Sequence, residues 1–461
     1  MPTASLPADP NAPWYKQLNS YHWFVLLVAS AAWFFDCLDQ RLFSLARVPA
    51  LVELMKLPSS SPDLQAYGKV VTACFLIGWG VGGMIFGALG DKYGRARMLT
   101  LTILIYSAFT GLSYFSRTQW DFTLFRFLTG VGVGGVFGLA VALIAETVPD
   151  GARAQSLGML QILSTIGNIS AGFAKMGIDS LEANHTIVAG SGWRWMFLIG
   201  ALPACMIVFT RGHLKEPASW QRLKDQGQLP KGGILAPYAS LIGNARWRRN
   251  LIIGAIIAST GVIGLWAIGE YAVDLQKIVF KQHYEKTGMA ADAIAGAVNK
   301  DIATVYLWNM LGAAFGMSIF TWVAKRGRKL AFFLGFSAAL VTTFLVYWKI
   351  SDPIAARWMM FLMGAAQLSV FAGFAIYLPE LFPSKLRSTG TSFCYNLGRF
   401  AAAAGSFFSA ALTRDVFGKY KAVDESLPPR YAAMTMCAIF LMGLVVLLFA
   451  PETKGKPLPE D

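Results

Sequence analysis

The chain has 461 residues, 55% of them hydrophobic and only 14% charged, with a mean hydropathy of +0.49. A soluble protein carries nearer a quarter charged residues, and apolar runs of about 20 residues recur from end to end, so a soluble globular domain is excluded and an all-α polytopic membrane protein is predicted. The net charge of +14 does not point to nucleic acid, because the cations gather in alternate loops.

Twelve transmembrane helices are expected, at about 21–45, 67–89, 98–116, 122–146, 154–177, 193–211, 250–275, 302–323, 330–349, 356–378, 387–412 and 431–450. Met1 to Ser20 lacks the charged start, short apolar core and cleavage site of a removable signal peptide. Cations cluster after spans 2, 6, 8 and 10, from Lys92, Arg95 and Arg97 to Lys385 and Arg387, which puts both termini in the cytoplasm of an inner or plasma membrane. Lys277, Lys281, Lys286 and Lys300 run against this bias and are expected in a long outer loop with a short amphipathic helix. Residues 212–249 read as a cytoplasmic linker between an N-terminal six-helix bundle, 1–211, and a C-terminal six-helix bundle with a cytoplasmic tail, 250–461. Trp220, Leu223, Ile234, Leu235 and Trp247 among the linker cations suggest helices lying on the membrane surface.

The halves repeat. Glu146-x-x-Pro149 with Arg153 recurs as Glu380-x-x-Pro383 with Arg387, and Phe127-x-x-Gly130 as Phe361-x-x-Gly364, both at an offset of 234. Gly94-Arg95 recurs as Gly327-Arg328 at 233, although Ala324 stands where the first copy has Asp91. Two homologous six-helix halves are the architecture of a rocking transporter. The cysteines (Cys37, Cys74, Cys205, Cys394 and Cys437) are scattered through apolar runs, which is a packing pattern. No nucleophile triad, phosphate loop or metal-ligand spacing is present, so neither an enzyme nor a cofactor or metal is expected.

A charge at the bilayer centre costs about 2.5–3.5 kcal/mol on insertion scales. Asp36, Asp39, Arg41, Arg126, Glu270 and Arg399 therefore each require a partner or a cavity. Arg399 lies roughly 18 Å along its helix, near the midplane, with Asn396 one turn before it. A guanidinium beside an amide suits a carboxylate, which accepts two parallel hydrogen bonds. Asp36 and Asp39 share one helical face, so their mutual repulsion favours holding a proton on one of them. Asp39 and Arg126 fall at matching depths in the first and fourth spans, which predicts a pair, with Arg41 as an alternative partner. Gln161, Ser164, Asn168, Asn309 and Gln367 are the polar groups at middle depth, Gln161 and Gln367 first among them; Tyr395 and Trp266 are candidate lining aromatics.

Gly87-Ala-Leu-Gly-Asp91-Lys-Tyr-Gly-Arg95-Ala-Arg97 and Arg126-Phe-Leu-Thr-Gly130-Val-Gly132 resemble signatures of the major facilitator superfamily. Glu146-Thr-Val-Pro149 with Arg153, and the tail Pro451-Glu-Thr-Lys-Gly, resemble its sugar-porter branch; Phe35-Asp36-Cys-Leu-Asp39 and Tyr395-Asn396-Leu-Gly398-Arg399 look like its organic-acid/proton symporters. The resemblance implies the major facilitator fold and proton-coupled symport of a small organic anion, a mono- or aromatic carboxylate. Arg399, Asn396, Asp36, Gln161, Gln367 and Tyr395 would bind it, and Asp39, Asp36 and Arg126 would couple the proton. Asp91, Arg95, Glu146, Arg153, Arg328, Glu380 and Arg387 would act as gating charges. Partners would be the substrate, a proton and membrane lipid, without nucleic acid, and a monomer would suffice. The alternatives are a sugar or polyol porter, in which Gln161, Gln367 and Asn396 matter most, and a non-transporting membrane sensor.

Overall fold

A computed structural model describes residues 12–59, 61–210, 212–269 and 271–460; Glu270 and the first eleven residues of the signal-peptide reading lie outside these. Among the described residues ten helices are long and apolar enough to cross a membrane. They are α1 (Ser20–Met55), α2 (Pro62–Tyr93), α3 (Arg95–Ser113), α4 (Gln119–Thr147), α5 (Asp150–Ala183), α7 (Ala245–Lys286), α8 (Ala291–Ala324), α9 (Arg328–Lys349), α10 (Pro353–Leu381) and α12 (Leu427–Val446). Two more complete the twelve: α6 (Gly192–Ile207) is short, and α11 (Arg387–Ala411) carries Ser388, Thr389, Thr391, Ser392, Asn396 and Arg399.

Boundaries follow local chemistry. Asn19 opens α1 by accepting from the His22 backbone while the His22 ring accepts in return, and Thr118 and Asp121 build the same reciprocal cap on α4. Gly94 separates α2 from α3 at φ +112°, a conformation that favours glycine. The expected long loop after the seventh span is instead helix. The α7 segment runs to Lys286 and α8 starts at Ala291, so Lys277 and Lys281 sit on helical turns, paired to Asp274 at 3.1 Å and Glu285 at 3.7 Å. The cations lower the local hydropathy without ending the helix, since lysine is a good helix former.

The chain forms two compact units. One runs up to Arg248 and includes Leu378–Asn396 and the tail from Lys456; the other comprises Arg249–Tyr377 and Leu397–Gly455. In the first, α2 crosses α4 so closely that a Cβ on Gly78 or Gly82 would strike the backbone of Phe127 or Val131. In the second, Gly312 and Gly316 of α8 meet the backbone of Phe361 and Ala365 in the same way. Each member of the second set lies 234 residues after its counterpart, so the sequence repeat is also a repeat of helix crossings.

The ends of α3 and α9 are held alike. Glu216 accepts from the Ala96 and Arg97 backbone N–H groups at 3.1 and 3.0 Å; Glu452 accepts from those of Arg328 and Lys329, both at 3.0 Å. At the opposite ends, Arg194 donates to the carbonyls of Tyr114 and Ser116, and Arg430 to those of Tyr347, Trp348 and Ile350. An anion at the start of each helix and a cation at its end both oppose the helix dipole. Burial of Glu452 pushes its carboxyl up, but the N–H groups of Lys454, Arg328, Lys329 and Thr453 outweigh that and leave it below the ordinary glutamate value.

The linker forms two short helices, Ala218–Asp225 and Ala236–Gly243. Trp220 is buried, its indole N–H donating to the Asp91 carbonyl at 2.9 Å, and Trp247 is buried too. Both side chains thus pack within the protein, and the Trp220 indole satisfies a carbonyl near the end of α2. Ile234 and Leu235 are exposed.

Candidate functional site

Around the Asp91 loop the first unit builds a buried charge cluster. Arg95 sits 3.0 Å from Asp91 and 3.1 Å from Glu146, and also donates to the Ser384 carbonyl. Glu146 takes Arg387 at 2.7 Å, while the hydroxyls of Ser384 and Ser219 each donate to it at 3.1 Å. The other carboxylate, Asp91, accepts from the Ser388 N–H at 3.1 Å and from the Thr389 N–H and hydroxyl at 2.8 and 2.6 Å. It therefore caps the first turn of α11, where N–H groups lack helical partners. The side chains of Asp91, Arg95 and Glu146 are wholly buried. Hydrogen-bonded buried charges of this kind are costly to break one at a time.

The repeat reaches into this cluster. Arg153 Nε donates to the Ala145 carbonyl at 2.9 Å and Arg387 Nε to that of Pro379 at 3.1 Å, again 234 residues apart. Beyond that the two arginines diverge, since Arg153 pairs locally with Asp150 whereas Arg387 reaches Glu146. Arg328 donates to the Ala324 carbonyl at 2.8 Å, and Glu380 is buried.

Deeper in the first unit, Asp39 of α1 and Arg126 of α4 are both fully buried, with Asp39 Oδ2 3.6 Å from Arg126 Nη1. That is an ion pair too long for a hydrogen bond. Neutral groups hold the guanidinium instead. Arg126 donates to Ser113 Oγ at 2.8 Å, to Thr129 Oγ1 at 3.0 Å and to the Phe109 carbonyl at 3.4 Å, and it lies 4.5 Å from the Phe197 ring centre. Coulomb attraction at 3.6 Å is worth about 5 kcal/mol at an effective dielectric near 20. Desolvating each of the two ions costs several kcal/mol, so burial offsets that attraction at least in large part. Neutralising Asp39 would remove the attraction while Arg126 kept its seat. Asp36 is also fully buried, and Tyr106 lies within electrostatic reach of both aspartates.

Farther along α1 and α4, the first unit also holds an aromatic cluster. Trp33 Nε1 donates to Gln161 Oε1 at 2.6 Å; Phe137 stacks on Tyr395 at 3.8 Å, and Trp33 lies 5.1 Å from Phe137 and 6.2 Å from Tyr395. Asn396 donates to the Ser392 carbonyl, and Ser164 and Asn168 bond within α5. In the second unit, Gln367 donates to Thr343 at 2.8 Å, Asn309 ties α8 to the Met360 carbonyl at 2.9 Å, and Arg399 is buried. The structure thus joins Asp39 with Arg126, Asp91 and Arg95 with Glu146 and Arg387, and Gln161 and Tyr395 with Trp33 and Phe137. Sequence reasoning missed Glu216, Ser219, Ser384, Trp33, Phe137, Ser113 and Phe197, and read Trp220 only as a residue of a surface helix. Only Glu216 carried a readable signal, a Glu beside a Pro 236 residues before Glu452.

Residues 30–234 match the family described as Sugar (and other) transporter, and residues 287–461 the Major Facilitator Superfamily. A putative metabolite transport protein of Haemophilus influenzae is 28% identical over 96% of this chain and 99% of its own length. A probable 4-methylmuconolactone transporter of Cupriavidus pinatubonensis is 27% identical, covering 96% of this chain and 93% of the relative. The solved structure of the proton:xylose symporter XylE bound to 6-bromo-6-deoxy-D-glucose superposes with a TM-score of 0.71 at 19% identity, over 95% of this chain and 98% of that one. That last likeness is one of fold.

Proposed function

We propose that this chain, which belongs to the major facilitator superfamily of membrane transporters, carries a small organic anion across the membrane together with a proton by alternating access. The observation that carries the reading is the buried Asp39–Arg126 pair, 3.6 Å apart and beyond hydrogen-bond distance. Protonating Asp39 releases Arg126 from its only carboxylate among the described contacts, and a change of conformation then carries both cargoes. Asp36 is the second candidate for the proton. Arg399 receives the carboxylate, and Asn396 and Gln367 add polar contacts.

Trp33, Phe137 and Tyr395 support an aromatic or unsaturated acid as the cargo: they bring three rings together beside Gln161, a surface of the kind on which a planar acid packs. A relative described as a 4-methylmuconolactone transporter supports an unsaturated cargo. In this scheme Asp91, Arg95, Glu146 and Arg387 form a cytoplasmic gate that parts when the site opens inward, with Arg153, Arg328 and Glu380 at related positions. The sequence halves 1–211 and 250–461, joined by the linker 212–249, are the bodies that move. A single copy performs the cycle in the inner or plasma membrane.

A sugar or polyol is the second reading, favoured by the match of residues 30–234 to sugar transporters. Counterflow in proteoliposomes separates the two. Vesicles loaded with benzoate-like or muconate-like acids should exchange them and ignore xylose and glucose; exchange of the sugars alone would overturn the organic-anion reading.

A further inference from the structure

We infer that α6 sets the proton pair, with Gly200 leaving the room that the Asp39 carboxyl occupies and Phe197 seating the Arg126 guanidinium, so that both are positioning residues for proton coupling. The inference rests on the reading of Asp39 as the proton carrier. A Cβ on Gly200 would lie 2.8 Å from Asp39 Oδ1 and 2.6 Å from Thr110 Cγ2, both too close for a side-chain carbon. Three residues earlier on the same helical face, Phe197 turns its ring toward Arg126, with its centre 4.5 Å from the guanidinium carbon. One turn of α6 therefore touches both members of the pair.

The register of that turn is fixed from the far end of α6. Glu53 of α1 accepts from the Trp193 indole at 2.6 Å and from Arg194 at 2.8 Å. Arg194 also holds the carbonyls that follow α3. Gly200 lies two turns along from this clamp, about 10 Å at helical rise. The ionisable groups near Asp39 come from elsewhere: Arg126 on α4, Tyr106 on α3 and Asp36 on α1. From α6 the neighbours are neutral, so α6 acts by space and by a ring face.

The test is the pH profile of accumulation beside counterflow in proteoliposomes holding the full chain. Gly200→Ala should keep counterflow and move the midpoint of pH-dependent accumulation by about one pH unit, a tenfold change in proton affinity. Phe197→Leu should move it as well, and Phe197→Tyr should bring it back. If Gly200→Ala is not recovered folded, Gly200→Ala with Thr110→Ser, which removes one of the two collisions, replaces it; the Phe197 pair decides independently. Wild-type midpoints in the Gly200 variant and in Phe197→Leu would overturn the inference. Asp39→Asn in the same assay isolates the premise: if it retains proton-driven accumulation, the proton-carrier reading itself fails. If it loses accumulation while the α6 variants are unaltered, only the α6 inference fails.

Discussion

Glutamine in place of Glu146 keeps the shape of the proposed gate and removes its central charge. The carboxylate receives Arg95 at 3.1 Å, Arg387 at 2.7 Å and the hydroxyls of Ser384 and Ser219 at 3.1 Å. Glutamine offers one acceptor oxygen and turns an NH2 group toward those donors. Arg95 still has Asp91 at 3.0 Å, but Arg387 keeps only the carbonyls of Pro379 and Pro459 among its described partners. Breaking a buried pair costs about 3–5 kcal/mol. With backbone acceptors remaining, the lower end, about 3 kcal/mol, applies, which is roughly a 100-fold shift away from the gated state. Ser388 is wholly buried with its N–H on Asp91, so Ser388→Cys reports the opening. A membrane-impermeant maleimide should label this cysteine about 100-fold faster once Glu146→Gln is added. Lys175→Ala, at an exposed pair worth about 0–1 kcal/mol, should change nothing. Labelling within about twofold of the parent, well under one 1.4 kcal/mol step, would refute the assignment of the gate to this cluster.

Three further outcomes follow. Arg399→Lys should raise the KM for carboxylates by about tenfold or more, because a point charge replaces a bidentate fork; an unchanged KM in initial-rate uptake would remove Arg399 from the site. Phe137→Ala and Trp33→Ala should weaken ring-bearing acids by about 0.5–1.5 kcal/mol relative to acetate-like ones, read by competition against a labelled acid; equal losses for both classes would make the cluster mere packing. Glu452→Gln should cost about 1 kcal/mol of stability, as a lost helix cap does, seen as a lower Tm in detergent. Since the folded carboxyl sits below its ordinary pKa, that difference should be full at neutral pH and fade as the pH falls below the ordinary glutamate value; a difference independent of pH would argue against the cap.

Much of the fold was legible because its signals are long. Apolar runs mark spans, and a constant offset of 234 exposes the repeat, which the structure carries down to the Phe127 and Phe361 crossings. The meeting of Asp39 with Arg126 was legible too, because helical rise is constant and depth can be counted. The far end of α7 was not, since lysines beyond the apolar stretch lower hydropathy while leaving the helix intact. The contacts of Ser219 and Trp220 were hidden for another reason: a polar linker has no period from which docking can be read. Trp33 and Phe137 look in sequence like any aromatic in an apolar helix, and only the arrival of Gln161 and Tyr395 from other helices sets them apart.

The most direct test of the account is the pH outside proteoliposomes when substrate is added. Aromatic or unsaturated acids should alkalinise the medium, and Asp39→Asn should abolish that signal while sparing counterflow of the same acid. Alkalinisation that persists in Asp39→Asn, or that appears with hexoses and not with acids, would contradict it.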